Sequence, residues 1–300
     1  MDDFVSQAAG TVRLTIALPV FNAGKHLRLA VLSVTHQTFT GWELLIVDDG
    51  STDDALDSIA DICDDRIRIC RDGVNRGLAV RLNQALEMAR GDFFARMDSD
   101  DVSYPERFAR QLQALEADPT LDLLATRAIT IDDDNQMTGL FPFAKTHQDI
   151  CAQPWRGFHF PHPTWMGRLE WFRRYRYGVP AAYLSEDQEL LLRTYGESKF
   201  ATLDEILFAY RIRKTTDWGR LAKTRKAVFA SQRQQFVRTL QWRFLLLAAF
   251  SYLAKSLRDR IKRMRSGNFY PVQKVDNRGV VQAWNRLRDD LLTSKPENAR

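Results

Sequence analysis

The sequence predicts an α/β fold over residues 1–215, a mainly parallel sheet flanked by helices, followed by a helical basic extension over residues 216–300. Three observations lead there. Short apolar runs alternate with amphipathic stretches of helix length, the alternation that builds parallel sheets. Most of those runs end in polar turns, which gathers chemistry at one rim of the sheet. Charge is also divided. From Gly219 to Tyr270 there are thirteen Lys and Arg against the single acid Asp259, a net +12, while the other residues carry 30 basic and 37 acidic groups, a net −7.

The predicted strands are residues 14–18, 44–47, 67–69 and 93–95, each bounded by turn residues. The predicted helices fall between and after them. Residues 25–36 place Leu27, Ala30, Val31 and Val34 on one face, and residues 78–88 do the same with Leu78, Leu82, Ala85 and Leu86. Residues 55–62 form a third candidate, and residues 105–116 a fourth that opens on Pro105, a residue tolerated in the first turn. With 45% hydrophobic and 27% charged residues in 300, the chain has ample material for a buried core. Cys63, Cys70 and Cys151 show no CxxC spacing, which speaks against a disulfide framework and against structural zinc. No apolar, cleavable segment opens the chain, so a cytoplasmic setting is expected.

Directly after Phe93-Phe94-Ala95 comes Met97-Asp98-Ser99-Asp100-Asp101. A strand ending in a turn of acids projects carboxylate oxygens at one point. That suits a hard divalent cation which keeps most of its ligand positions for substrate phosphates, and so points to a nucleotide diphosphate. The same residues are also ordinary turn and helix N-cap formers. Two other strand ends are polar, Pro19-Val20-Phe21-Asn22 and Asp48-Asp49-Gly50-Ser51. In an open parallel sheet all three lie around one crevice.

The ordered set resembles the nucleotide-sugar-dependent glycosyltransferases of family 2, whose Rossmann-like fold is called GT-A. The resemblance is carried by Leu18-Pro19-Val20-Phe21-Asn22, Gln37-Thr38-Phe39, Val47-Asp48-Asp49-Gly50-Ser51, Asn75-Arg76-Gly77-Leu78 with Asn83, and Gly91-Asp92 leading to the acid turn. It implies a catalytic domain to residue 215 and an inverting transfer of a sugar from a nucleotide-diphospho-sugar, UDP-linked as first choice, to a hydroxyl acceptor. Assembly of cell-surface glycan or glycolipid is the implied setting. Asp49 is implied for the nucleotide base, with Pro19, Phe21 and Asn22 along base and ribose. Asp98 is implied near the ribose and the metal, and Asp100 as a direct ligand of Mn2+ or Mg2+. Asp101 reads instead as the cap of the following helix.

An inverting displacement also needs a carboxylate opposite the leaving group. Tyr183-Leu184-Ser185-Glu186-Asp187-Gln188 resembles the family's Glu-Asp motif, which implies Asp187 as the catalytic base and Glu186 as an orienting residue on the acceptor side. An ordinary aspartate, with a pKa of about 3.9, is ionised at neutral pH and takes the proton late. Phe160-Pro161-His162-Pro163-Thr164 resembles the strand that lines the acceptor; His162 either touches substrate or satisfies a buried hydrogen bond. The nearby aromatics Trp155, Phe158, Trp165, Trp171 and Phe172 read mostly as core. Many relatives carry a histidine two residues after a Tyr-Arg pair, but this chain has Tyr210-Arg211-Ile212-Arg213. Arginine cannot ligate a cation, so Arg213 is a candidate for neutralising the diphosphate directly. The sequence lacks a Gln-x-x-Arg-Trp pattern followed by membrane spans, which favours transfer of single sugars. A same-fold rival, a sugar-nucleotide pyrophosphorylase, would need a glycine-rich phosphate loop after the first strand. The rival from another class is a sugar- or membrane-binding relative that has lost turnover.

In the extension, residues 244–250 are apolar but far short of the roughly 20 residues that span a bilayer. From Phe250, the apolar Leu253, Leu257, Ile261 and Met264 recur at three and four, with Lys255, Arg258, Arg260, Lys262, Arg263 and Arg265 between them. A basic amphipathic helix of this type either lies on an anionic membrane surface or packs on the catalytic domain with a solvated basic face. A peripheral place on the inner face of the membrane fits a lipid-linked acceptor, a saccharide being the other acceptor class. Nucleic acid is not expected, since no motif or aromatic interleaving accompanies the charge.

Overall fold

The computed structural model describes residues 12–180, 184–212, 215–265 and 278–294. Its first half follows the expected alternation. It runs β1 (Leu14–Val20), α1 (Leu27–Thr35), β2 (Trp42–Asp48), β3 (Ile67–Arg71), α2 (Leu78–Met88) and β4 (Phe93–Arg96). The helix expected at 55–62 is only a 3-10 turn, Leu56–Ile59. Its bonds, Ser58 to Ala55 and Ala60 to Asp57, reach back three residues, the pattern of short connectors.

The chain continues through β5 (Val102–Ser103), α3 (Arg107–Ala117), β6 (Leu123–Ile131), β7 (Met137–Leu140) and α4 (His147–Cys151). It then forms β8 (Met166–Arg168), α5 (Leu169–Tyr175), α6 (Glu186–Thr194) and β9 (Phe200–Arg211). The sheet order is β3-β2-β1-β4-β8-β6-β9-β5, with β7 paired to β6. From β3 to β4 every pairing is parallel. Beyond β4 the sheet is mixed: β8 runs antiparallel to both β4 and β6, whereas β6 and β9 pair in parallel.

Strand alternation sorts the core into two layers. Leu14, Ile16, Leu18 and Val20 of β1, with Leu44 and Ile46 of β2, pack with Leu27, Ala30, Val31 and Val34 of α1 and with Phe108, Leu112 and Leu115 of α3. Ala17, Leu45 and Val47 face the other way, toward Ala79, Leu82, Ala85 and Leu86 of α2 and the buried residues of α5 and α6. β1 and β2 are therefore covered on both faces, as a parallel sheet requires. Gln37 locks α1 to the start of α3, donating to the Ser33 and Tyr104 carbonyls and accepting from the Phe108 amide.

The remaining helices are α7 (Trp218–Arg238), capped by Asp217, α8 (Trp242–Met264) and α9 (Arg278–Thr293). Phe236 of α7 and Ala248 of α8 join the α2 side of the core, while Trp284 and Leu291 of α9 pack on the opposite side with Leu29 and Leu32 of α1. Between α7 and α8, Phe229 stacks on Tyr252 with ring centroids 5.0 Å apart, and Arg225 pairs with Asp259. Among the described residues no helix is long and apolar enough to cross a membrane. Cys63, Cys70 and Cys151 are free thiols.

Candidate functional site

The polar rim forms at the carboxyl ends of β1, β2 and β4. Pro19 is buried in β1 opposite Val47, and the next two residues leave the sheet: Phe21 is 50% exposed and Asn22 has φ of +51°. Asn22 is tied to the turn after β2, its amide donating to Ser51 Oγ (3.1 Å) and its Oδ1 accepting from the Thr52 amide (2.8 Å). Asp49 is 5% exposed. Its carboxylate accepts from the amides of Arg76 (2.6 Å) and Gly77 (3.0 Å) and from Arg81 Nε (2.9 Å). Arg81, itself 1% exposed, also holds Asp72. The close approach requires glycine at 50, where φ is +75° and a Cβ would stand 2.9 Å from the Asn75 nitrogen. Asp49 thus clamps the loop that opens α2.

After β4, one carboxylate oxygen each from Asp98, Asp100 and Asp101 lie within 4.8 Å of one another. Asp101 does not cap a helix as expected. The residues after it form β5, and α3 starts only at Arg107 with Glu106 at its N-cap. Instead Asp101 is buried, and its Oδ1 accepts from the Arg211 amide at 2.7 Å. Its Oδ2 is a buried oxygen with no hydrogen-bond partner among the described residues. Burial and the neighbouring Asp100 and Asp98 push the Asp101 carboxyl well above its ordinary pKa. An orphaned oxygen among mutually repelling acids suits a divalent cation, so the residues present fit the metal that the sequence suggested. Arg211 is structural. Its guanidinium donates to the carbonyls of Asp100 and Asp132 and to Asn135 Oδ1 (2.7 Å), tying the acid turn to the β6–β7 hairpin. Arg213 lies outside the described residues.

The residues expected on the acceptor side gather near the start of α6. His162 is buried, with Nε2 2.8 Å from the Tyr177 hydroxyl and its ring 4.4 Å from that of Trp165. It therefore satisfies a buried hydrogen bond. Burial and Arg96 hold its pKa well below the ordinary value, so it is neutral at pH 7. Tyr177 is fixed in turn by Asn83, which exchanges two hydrogen bonds with its backbone. Glu186 is buried, and burial with the adjacent Asp187 raises its pKa to about 7. Asp187 is partly exposed and its Oδ2 accepts from Gln188 Nε2 at 3.1 Å. Burial raises its pKa too, against the effects of Gln188 and Arg96, so it departs from the ordinary aspartate expected. Trp165, Trp171, Phe172 and Phe158 are core, as read, whereas Trp155 is half-buried beside Phe244 of α8.

Sequence reasoning missed Arg96. This side chain, 3% exposed at the end of β4, holds Asp98 at 2.6 Å. Its charge acts on Glu186, Asp187, His162 and Tyr177 as well. A lone cation closing an apolar strand was the available signal, since buried arginine is rare without a partner. Arg107 and Gln111 were also missed. Both are fully buried in α3, and they brace the carbonyls of Arg96, Pro163, Leu124 and Thr164.

Comparison with known proteins agrees with this geometry. The family model described as "Glycosyl transferase family 2" matches residues 15–176. EpsE of Bacillus subtilis (strain 168), a protein named as a glycosyltransferase, is 29% identical over 280 residues, covering 90% of this chain and 98% of that one. WfgD of Escherichia coli, named "UDP-Glc:alpha-D-GlcNAc-diphosphoundecaprenol beta-1,3-glucosyltransferase", is 31% identical over 115 residues, 38% of this chain and 42% of its own length. Among solved structures, the mannosyltransferase PcManGT from Pyrobaculum calidifontis, in complex with GDP-Man and Mn2+, superposes with a TM-score of 0.59. It is 16% identical, and the match covers 95% of this chain and 81% of that one. That likeness establishes the GT-A fold.

Proposed function

The chain belongs to glycosyl transferase family 2, and we propose that it moves single sugars from a nucleotide-diphospho-sugar, UDP-linked, to a hydroxyl acceptor with inversion. The carrying observation is that two groups of acids, Asp98-Asp100-Asp101 after β4 and Glu186-Asp187 at the head of α6, both feel one buried cation, Arg96, which pairs with Asp98 at 2.6 Å and whose charge acts on Glu186 and Asp187. Such a pairing separates a leaving-group site from a proton-accepting site, which is what a displacement at an anomeric carbon needs.

In this reading Phe21, Asn22 and Pro19 wall the nucleoside, and Asp49 accepts from the base. Asp100 with Asp98 would hold Mn2+ or Mg2+, which offsets charge on the departing nucleoside diphosphate. Asp187, in its carboxylate form, takes the proton of the attacking hydroxyl. The new bond from that oxygen to the anomeric carbon forms as the bond to the diphosphate breaks, and the electron pair leaves on the diphosphate. Glu186 and Tyr177 keep the loop around Asp187 in place, with neutral His162 behind them.

The name of WfgD supports a UDP-sugar donor and a lipid-linked acceptor in polysaccharide assembly. PcManGT, solved with GDP-Man and Mn2+, supports the cation and makes a GDP-sugar the alternative donor. The extension supports a peripheral position on the inner, cytoplasmic face of a membrane. Along α8, Leu246 (73%), Phe250 (72%), Leu253 (64%), Leu257 (61%) and Met264 (77%) form an exposed apolar row, with Arg243, Arg260 and Arg263 beside it. Apolar insertion and attraction to anionic lipid act together on such a face.

Two variants test the assignment. Asp100→Ala is expected to remove metal-dependent nucleotide binding, and Asp187→Ala to keep that binding while losing transfer. Transfer retained by Asp187→Ala would overturn the base assignment.

A further inference from the structure

A cleft of about 180 Å3 opens where α7 and α8 meet the loop that leads into Phe158. Three cations border it, Arg156 on the loop, Arg225 on α7 and Lys255 on α8. Asp259 pairs with Arg225 and lies 3.7 Å from Arg258, and none of the described residues that line the cleft is an acid. Positive charge is therefore in excess. Burial and the surrounding Arg225, Arg156 and Arg258 lower the Lys255 pKa to about 8, as crowded like charges do. The Lys255 ammonium donates to the Arg156 carbonyl at 2.6 Å, which leaves two of its three N–H groups for a ligand. Trp155, Phe229 and Tyr252 supply aromatic walls. The volume lies below the roughly 300–1,000 Å3 of sites that enclose a whole small molecule, so it suits one group of a larger substrate.

The cleft adjoins the transfer site through Gln188. That side chain lines the cleft, exchanges hydrogen bonds with the Phe158 backbone at 2.8 and 3.3 Å, and donates to Asp187 at 3.1 Å. The face of α8 opposite Lys255 carries the exposed Leu253 and Leu257.

We propose that this cleft binds the phosphate or diphosphate group of the acceptor, holding it between Lys255, Arg156 and Arg225 while the acceptor hydroxyl reaches Asp187. The inference rests on the transfer reading above and deepens it by naming the acceptor's chemistry: an anion, supplied either by a lipid diphosphate or by a soluble sugar phosphate. Charge-assisted bonds from Lys and Arg are the usual means of holding such groups.

Calorimetric titration of the full chain in chelator, where the donor acids hold no cation, tests it with farnesyl diphosphate, farnesol, inorganic pyrophosphate and glucose 1-phosphate. Farnesyl diphosphate is expected to bind. Lys255→Met should weaken it about tenfold or more, the loss of one charge-assisted hydrogen bond, and Arg156→Ala, on a surface loop, should act in the same direction. Stabilisation by nucleotide with manganese should stay unchanged in both variants. Tighter binding of farnesyl diphosphate than of pyrophosphate assigns the lipid source, and equal binding of glucose 1-phosphate assigns the soluble one. No binding of any phosphate, equal binding of farnesol, or binding indifferent to both substitutions would overturn the cleft assignment. Phosphate binding in a protein that binds no nucleotide would instead overturn the transfer reading and leave the cleft standing.

Discussion

At the end of β4 three carboxylates converge on a point where one buried oxygen has no partner among the described residues, while at the head of α6 burial favours the protonated forms of two adjacent carboxylates. Both groups share Arg96, which pairs directly with Asp98 and reaches Asp187 and Glu186 only through its field. The contrast separates two ways of managing acid charge. The β4 acids are crowded by a backbone turn braced by Arg211, an arrangement that calls for added positive charge. The α6 acids are desolvated, which raises their proton affinity, the property that the base role proposed for Asp187 requires.

Removing the Arg96 charge disturbs both acid groups at once. Arg96→Met leaves the partly exposed Asp98 without its partner and is expected to cost about 1–3 kcal/mol of stability, the scale for removing one side of a charged hydrogen bond. It should also move the rising limb of the pH–rate profile to higher pH, because Asp187 loses a cation that favours its charged form. Urea unfolding and a pH series check the two effects; an unmoved profile would show that Arg96 serves the β4 acids alone.

Glu186→Gln sharpens the α6 side. A carboxyl whose pKa is about 7 in the folded chain and near 4.5 unfolded binds more protons folded than unfolded between those values. Its contribution therefore falls as pH rises from 4.5 through 7, and the glutamine variant should melt above the wild type at pH 8 and level with it near pH 4.5. Thermal melts at both pH values check this.

The smallest effect belongs to α8. Leu253→Ser with Leu257→Ser alters an exposed row, so folding stability should move by no more than about 0.5 kcal/mol per site. Sedimentation with anionic vesicles should fall while transfer to a soluble acceptor stays unchanged. Undiminished vesicle binding would detach this helix from the membrane proposal.

The parallel half of the fold was legible because β1, β2 and β4 are buried on both faces and announce themselves as apolar runs, each followed by the turn that carries the chemistry. Asp98, Asp100 and Asp101 were found together for that reason. The strands β5 and β8, two and three residues long, were not legible, since only long-range pairing with β9 and β4 defines them. The same holds for Arg96 and Arg211, whose roles depend on what the topology brings beside them. Asp101 was misread because a local pattern offered a helix cap where the chain instead makes a strand tied to Arg211. The acidic first turn at Glu186 and Asp187 was visible, but its raised proton affinity comes from burial that no spacing reveals.

The most direct measurement is thermal stabilisation by UDP, GDP, dTDP and CDP, each with manganese and with chelator, in the wild type and in Asp100→Ala. A ligand that binds only the folded chain raises its apparent stability. A shift is expected with one nucleotide, UDP first, that disappears in chelator and in the variant. No shift with any nucleotide, or one indifferent to both chelator and Asp100→Ala, would contradict it.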